Sequence, residues 1–317
     1  MTTATGTASG HNDLIHKLHD FLITAGWTEL AYSGVPSPLA DSSVLSFVLR
    51  APGGSSGNEF FLYMNSAADV GNGYYGLRIN AAIDYDSTLL IGGQKMISPD
   101  TYLNLWQNSM DYWFYANGRR VVIVAKVNTS YVSAYLGCFL PFALPSQYTK
   151  PFTIIAPAST LHKYDRSVTQ NRFVADPGNG CAYYLNRSFN QWIAVANHEV
   201  GVSEVNFSFN PSAIMWPHRS VRHSVNADEA GDIGSWSYGG LARIRPPLSG
   251  EVPQFLCHIL SLSERKFVGA LDGVYSVPGF NRTSEQLVTF GSPASNFRTF
   301  QNIFRTTARD FMAIEEV

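Results

Sequence analysis

His16 and His19 are the first residues along the chain whose types and spacing suit metal binding. Side chains three residues apart lie on one face of a helix, and two imidazoles on one face can hold a transition-metal ion. No third ligand is evident near the pair, and His19 precedes Asp20 on the side of the helix predicted to face solvent. The sequence therefore favours a solvated helix face and predicts no metal site.

Ser55 lies in the string Gly53–Gly57, which matches the G-x-S-x-G pattern of a hydrolase nucleophile elbow. The elbow needs a strand, a sharp turn and then a helix. Here the following residues, NEFFLYM, form a predicted strand, so the serine is expected in a hairpin loop. No phosphate-binding glycine loop occurs either. The sequence predicts no catalytic residue and no cofactor.

Arg219 and Arg222 form a local cationic cluster with the histidines that flank them in PHRSVRH. Such a cluster can bind a carboxylate or a phosphate on a partner, and the alternative is an ordinary polar loop. The nearby segment NADEAGD resembles the opening of a calcium loop but lacks two of its ligand positions. We expect an acidic surface loop there.

Aromatic residues cluster in several segments and could stack on sugars. In a β-rich chain most of them are expected in the core or between subunits, but glycan recognition remains an alternative. The residues in question are Tyr74, Tyr75, Tyr112, Trp113, Tyr115, Tyr183, Tyr184 and Trp236.

The three cysteines, Cys138, Cys181 and Cys257, are widely spaced and form no C-x-x-C pair. Neither a disulfide framework nor a thiol zinc site is indicated. Buried reduced thiols are expected.

Charged residues make up only 15% of the chain, against about 25% in an average soluble protein. The sequence has 20 Phe, 16 Tyr and 6 Trp but only 22 Lys plus Arg. Protein interfaces are enriched in aromatics and depleted in Lys and Glu, so we expect assembly into something larger. The net charge is -2 and no basic run exceeds Arg119–Arg120, which argues against direct nucleic-acid binding.

The N-terminal segment MTTATGTASGHND is polar and has no signal-peptide layout. No uninterrupted apolar stretch approaches the 18 or so residues of a membrane-spanning helix. No membrane association is expected.

Asn12–Ala25 carries apolar residues at a 3.6-residue period, which predicts a helix capped by Asn12 or Asp13 and stopped by Gly26. Most of the chain beyond Gly26 alternates between short β-rich runs and Gly/Pro/Asn turns. The fold class is therefore predicted as mainly β, with two β-sandwich or barrel-like domains and one short N-terminal helix. The predicted strands are Val44–Arg50, Phe60–Asn65, Tyr74–Ile83, Asp111–Ala116, Arg119–Val127, Tyr131–Leu140, Phe152–Ala156, Ala182–Leu185, Trp192–Asn197, Ser203–Asn210, Phe255–Leu262, Phe267–Val274, Leu287–Phe290 and Phe311–Glu315.

Asn117–Gly118 gives the strongest hairpin signal, because this dipeptide suits the two positive-φ positions of a type I′ turn. The hairpin is expected to organise a first domain, 1–155. A second β domain, 156–317, would contain a long irregular loop near 217–247.

Three stretches of the chain resemble a family of virion structural proteins from tailed double-stranded-DNA phages. They are FLITAGWTEL with the loop that comes after it, YWFYANGRRVVIVAKVNTSYVSAYLGCFLPFALPSQYTKPF, and the C-terminal GALDGVYSVPGFNRTSEQLVTFG with NIFRTTARDFMAIE. The hairpin motif W-F-x-A-N-G-R-R is the most specific part. The chain departs from the family pattern at Cys138 and Phe142 and matches it only loosely over residues 156–254.

The resemblance implies a tail, baseplate or neck component, made in the host cytoplasm and incorporated into the virion. It implies a symmetric ring of identical copies, with six-fold symmetry favoured, that holds neighbouring tail, baseplate or neck proteins. The residues predicted to make partner contacts are Pro141 and Pro145 in the Pro-rich loop and Arg219 and Arg222 in the cationic cluster. The alternatives are a host-surface glycan recognition module, an envelope hydrolase using Ser55 and a capsid decoration protein.

Overall fold

The fold is described from a computed structural model. It covers residues 1–34, 43–53, 59–142, 153–158, 161–163, 182–186, 191–196, 213–216, 254–261, 266–278, 283–290, 294–301 and 310–316. Across these ranges the chain is mainly β, with two sheets and a single α-helix. This confirms the predicted β-rich class with one short N-terminal helix.

The smaller sheet has five antiparallel strands in chain order, β2 to β6. Sequential antiparallel neighbours are the least demanding way to pair short strands, since each connection only has to reverse the chain. A short 3-10 helix, Ile91–Gly93, lies in the connection before β6. The strands are β2 (Thr28–Tyr32), β3 (Ser46–Arg50), β4 (Phe61–Asp69), β5 (Tyr74–Ala82) and β6 (Thr101–Leu105).

The helix, α1, spans His11–Thr24 and begins one residue earlier than the sequence predicts, with Gly10 as its N-cap. Asp13 lies in the first turn and accepts hydrogen bonds from the Ser9 backbone N–H at 2.7 Å and from Lys17 Nζ at 2.6 Å. A carboxylate in this position satisfies otherwise unpaired N–H groups and favours the positive end of the helix dipole. The apolar face of α1 is buried, as the 3.6-residue period predicts.

The larger sheet has 14 strands and draws on the whole length of the chain. Its order is β1-β7-β8-β9-β11-β12-β13-β14-β15-β16-β19-β18-β17, with β10 paired beside β16. The strands are β1 (Thr2–Ala8), β7 (Met110–Ala116), β8 (Arg120–Val127), β9 (Ser130–Cys138), β10 (Leu140–Pro141), β11 (Thr153–Ala156), β12 (Ala182–Asn186), β13 (Gln191–Ala196), β14 (Ala213–Trp216), β15 (Phe255–Ser261), β16 (Lys266–Pro278), β17 (Leu287–Phe290), β18 (Ser295–Gln301) and β19 (Asp310–Glu316).

Strands β7, β8 and β9 are buried on both faces. Alternate residues of β8, such as Val121 and Ile123, join the core beneath α1 and the small sheet. The residues between them, such as Val122 and Val124, join a second core with β15, β16, β18 and β19. A strand covered on both sides has no solvent face, which is why this segment of the sequence is continuously apolar rather than alternating.

The large sheet therefore folds back on itself, as open sheets of more than about ten strands generally do. Polar contacts join its distant strands across the second core. Lys126 of β8 pairs with Glu285 at 2.8 Å, and Tyr115 of β7 donates a hydrogen bond to Glu316 of β19 at 2.9 Å. These contacts link residues more than 150 positions apart and fix the C-terminal strands over β7–β9.

The Asn117–Gly118 hairpin forms between β7 and β8, but its predicted turn geometry is wrong. Neither residue has a positive φ. Instead the Asn117 side-chain oxygen accepts hydrogen bonds from the N–H groups of Arg119 and Arg120 at 2.8 and 2.9 Å. The Asn117 carbonyl accepts from the Trp27 indole at 3.3 Å, so the turn also anchors the segment after α1. Asn117 therefore stabilises the turn through its side-chain hydrogen bonds and not through a left-handed backbone conformation.

The polar N-terminal residues, for which the sequence predicts no strand, form the edge strand β1. They pair with β7 from Thr2↔Ala116 to Ala8↔Met110. The predicted strand Ser203–Asn210 and the 217–247 loop lie outside the described residues. The proposed domain boundary at 155/156 falls inside β11, which pairs with both β9 and β12, so the large sheet continues across it. The two-domain division stays a prediction.

Within the described ranges, no helix has the length and apolar character required to cross a bilayer.

Candidate functional sites

Pro141 is the one predicted partner-contact residue that the structure describes. It belongs to β10 and lies opposite Gly269 of β16, partly exposed. Pro145, Arg219 and Arg222 lie outside the described residues. Their part in partner contacts stays a prediction.

Gly269 explains how β10 can lie against β16. A Cβ at this position would lie 2.4 Å from the Leu140 carbonyl oxygen and 2.4 Å from the Phe139 ring. Only a residue without a side chain permits that approach. The backbone N–H of Phe142 then donates to the Val268 carbonyl at 3.0 Å, which continues the pairing past Pro141. The beginning of the Pro-rich loop is thus fixed on the sheet.

Three aromatic rings meet at this point and form what we call the Phe142 patch: Phe142, His258 and Phe267. The ring centroids of Phe142 and His258 are 5.5 Å apart, and those of His258 and Phe267 are 5.4 Å apart. Phe142 is 53% exposed and Phe267 is 47% exposed. Leu140, two residues before Phe142, is also exposed. Contiguous exposed apolar side chains of this kind usually mark a contact surface.

His258 adds no positive charge to the patch at neutral pH. Partial burial lowers the pKa of its imidazole below the ordinary 6.5, because the charged form is poorly solvated there. The neighbouring Cys257 is completely buried on the other face of β15, as expected for adjacent strand residues. The expectation that Cys257 and His258 share no metal site stays a prediction.

Several candidates from the sequence are not part of a functional site in the described residues. Ser55, the cationic cluster around Arg219 and the acidic segment 226–232 lie outside the described residues. Cys138 and Cys257 are buried, as predicted, and Cys181 lies outside the described residues. Of the aromatic candidates, those 7% exposed or less have no face available for sugar stacking: Tyr75, Trp113, Tyr115 and Tyr184.

A second site, on one face of the middle of α1, groups His16, His19 and Asp20. Their ligand atoms all lie within 4.8 Å of one another. The prediction that His19 faces solvent is wrong: its side chain is only 6% exposed. Its ring stacks on Tyr32 of β2 with centroids 4.0 Å apart, and this contact covers one face of the imidazole.

Residues of β2 complete this histidine cluster. Glu29 Oε2 lies 2.9 Å from His19 Nε2, and the Tyr32 hydroxyl is hydrogen-bonded to His16 Nδ1 at 3.1 Å. Burial, with the charges of Asp20 and Glu29, raises the pKa of Tyr32, so its hydroxyl stays protonated. Both imidazoles are thereby held in fixed orientations.

No protein-family model matches this chain. No curated protein is significantly similar to it either.

The sequence identified His16, His19 and Pro141 as candidates but did not predict the residues that surround them in the folded chain. Glu29 is ten residues from His19, and Phe267 is 125 residues from Phe142, so only the folded chain brings them together. One local signal was available: a glycine within an apolar strand, here Gly269, often marks close approach of another backbone.

Proposed function

We propose that this chain is a structural subunit of a tailed-phage virion, located in the tail, baseplate or neck. It assembles with copies of itself into a ring and holds neighbouring tail proteins. The observation that carries the proposal is the Phe142 patch, where exposed aromatic rings stand at the start of the Pro141–Pro151 segment. This is the segment predicted to make an inter-subunit contact.

The chemistry of the patch suits a protein partner. Strand pairing fixes the backbone of Phe142 and Phe267, and both rings already contact His258, so we expect their burial to cost little side-chain entropy. Aromatic side chains that are rigid before binding are typical of interface hot spots. The low charge of the whole chain points in the same direction, since a protein that exists alone in solution usually carries more charged surface.

The described sheets also offer edges for assembly. The strands β1 and β17 end the large sheet, and β2 and β6 end the small one. Of these, β6 already pairs through Tyr102 with Ala158, so β1, β17 and β2 are the edges that we expect a neighbouring subunit to pair with by β-augmentation. Such edge pairing would fix the relative orientation of two subunits that the Phe142 patch brings into contact.

The first experiment is cryo-electron microscopy of intact particles, with this chain traced in the map. Density in a symmetric ring on the tail, baseplate or neck would support the proposal, and six copies are favoured. Density at fibre tips only would favour the alternative, a host-surface recognition module. A chain not found in the mature particle would exclude the virion role.

Purified protein gives a second test. Phe142→Ser and Phe267→Ser should each convert the assembled ring to monomers in analytical ultracentrifugation, with little change in circular dichroism. Leu90→Ser is the matched control, because Leu90 is 88% exposed in the connection between β5 and β6 and should leave assembly intact. Unchanged rings in both Phe variants would rule out the patch as the subunit contact.

A further inference from the structure

The histidine cluster has the composition and spacing of a transition-metal site. His16, His19 and Asp20 supply two imidazole nitrogens and a carboxylate from one turn of α1. His16 Nε2 lies 3.6 Å from Asp20 Oδ2, and His19 Nδ1 lies 2.9 Å from Asp20 Oδ1. Tetrahedral Zn²⁺ with bonds of about 2.1 Å holds its ligand atoms roughly 3.4 Å apart. The three ligand atoms lie within 4.8 Å of one another, so side-chain rotation has to bring them closer for all three to bind one ion.

In each imidazole, the ring nitrogen that is turned away from Asp20 already has a hydrogen-bond partner. His19 Nε2 faces the Glu29 carboxylate at 2.9 Å, and His16 Nδ1 is bonded to the Tyr32 hydroxyl at 3.1 Å. Metal-bound histidines almost always use the second ring nitrogen this way, in carboxylate–histidine–zinc arrangements. When these outer nitrogens carry the protons, His19 Nδ1 and His16 Nε2 present lone pairs to the space beside Asp20.

The cluster is rigid on one side and open on the other. The His19 ring is fixed between Tyr32, on which it stacks, and Phe47, which it meets edge-on at 5.2 Å. Asp20 has a side chain 61% exposed, so an ion can enter and a fourth coordination position faces solvent.

We propose that His16, His19 and Asp20 bind a divalent transition-metal ion, with Zn²⁺ as the preferred occupant. Glu29 and Tyr32 act as positioning residues for the two imidazoles. Nitrogen-rich sites with one oxygen ligand favour Zn²⁺ and its neighbours over Mg²⁺ or Ca²⁺. Bound metal would hold three side chains of α1 together and stabilise the folded protein by mass action. This inference does not depend on the proposed virion function.

The test is titration of the chelator-stripped full chain with ZnCl₂ by isothermal calorimetry. Co²⁺ serves as a spectroscopic probe, because tetrahedral coordination gives intense visible absorption. We expect one ion per chain at the cluster and a thermal midpoint that rises with Zn²⁺. His16→Gln and Asp20→Asn, both at partly exposed positions, should abolish the Co²⁺ spectrum while leaving circular dichroism unchanged. Glu29→Ala should weaken Zn²⁺ affinity by about 10- to 100-fold.

His162→Gln is the matched control, because it removes an imidazole outside the cluster, where the ring contacts Tyr74. It should leave affinity, stoichiometry and spectrum unchanged. No Zn²⁺ binding by the wild-type chain, or equal binding by wild type and both His16→Gln and Asp20→Asn, would overturn the proposal.

Discussion

At the scale of single residues, Gly137 controls how closely β8 and β9 approach. Its φ of 132° lies in a region that residues with a side chain rarely adopt. A Cβ there would lie 2.4 Å from the Arg119 carbonyl oxygen and 2.7 Å from the Arg120 Cα, both backbone atoms that cannot rotate away. The close pairing of β8 with β9 therefore requires a residue without a side chain at position 137.

Gly137→Ala should therefore lower the free energy of unfolding by roughly 3–5 kcal/mol, since strain and a backbone clash add together. Urea denaturation of the purified chain measures the effect. Gly92→Ala is the control, because nothing lies within 4 Å of its Cβ position, and its stability should stay within about 0.5 kcal/mol of wild type. A Gly137→Ala protein as stable as the control would show that β8 and β9 are not held this closely.

Glu285 provides a pH-dependent contact across the second core. Burial raises the pKa of its carboxyl, but hydrogen bonds from Lys126 and Tyr131 at 2.8 and 2.6 Å outweigh burial and lower it below the ordinary 4.5. A carboxyl whose pKa is lowered by folding stabilises the folded state above its unfolded pKa. That contribution is lost as pH falls through the folded value.

Glu285→Gln should thus be less stable than wild type at pH 7, by about 1 kcal/mol because the group is partly exposed. The difference should shrink as the pH falls below 4.5. Urea unfolding at a series of pH values measures it, with Glu59→Gln as an exposed carboxylate control. A difference that stays constant down to acid pH would contradict the assigned role of the ionised carboxylate.

At the scale of elements, α1 depends on its first turn. Its N-cap, Gly10, makes no side-chain hydrogen bond, so Asp13 supplies the acceptor for the Ser9 N–H. The same carboxylate pairs with Lys17 one turn later. Burial raises the pKa of Asp13, but the bonds from Lys17 and Ser9 outweigh burial and lower it, so the carboxylate is ionised at neutral pH.

Asp13→Ala should cost about 0.5–2 kcal/mol of stability, as loss of helix-capping interactions generally does. Thermal unfolding followed by far-ultraviolet circular dichroism measures it. Lys17→Ala tests how much of the effect belongs to the ion pair, and it should cost less, because an exposed pair contributes little. If Lys17→Ala were the more harmful change, the capping explanation would be wrong.

The strands differ in how far sequence alone identifies them. The β8 segment was recognisable because β-branched residues run continuously from Val121 to Val124. Strand β1 was not, since its Thr/Ala/Gly residues carry no apolar pattern. It is a strand because β7 offers an unpaired edge, and that edge exists only in the folded protein.

At the scale of the whole molecule, the C-terminal strand β19 is an interior element. It lies between β16 and β18 and buries Phe311, Met312, Ala313 and Ile314. Its Glu316 also receives a bidentate ion pair from Arg298 at 2.6 and 3.0 Å. Strand β19 thereby contributes Met312 and Ile314 to the second core, while Phe311 and Ala313 join a smaller third core.

Deleting residues 310–317 should abolish cooperative unfolding. The buried side chains of Phe311, Met312 and Ile314 each contribute about 1.5–3 kcal/mol, and together they rival the roughly 5–15 kcal/mol by which a typical protein is stable. Limited proteolysis and calorimetry would detect the loss. Deleting residues 1–8 is the matched control, because β1 has the same seven-residue length but pairs on one side only. Equal tolerance of both deletions would contradict the interior position of β19.

The sequence by itself determined the β-rich class, the helix and the β7–β8 hairpin, because these depend on local periodicity and turn residues. It also brought His16 and His19 to one helix face. Tertiary structure alone decided that His19 is buried, that Glu29 and Tyr32 orient the two rings, and that Phe142 and Phe267 meet on either side of His258. It also decided that β19 lies inside the sheet. Such contacts join residues far apart in the chain, and their energies arise only once distant strands have paired.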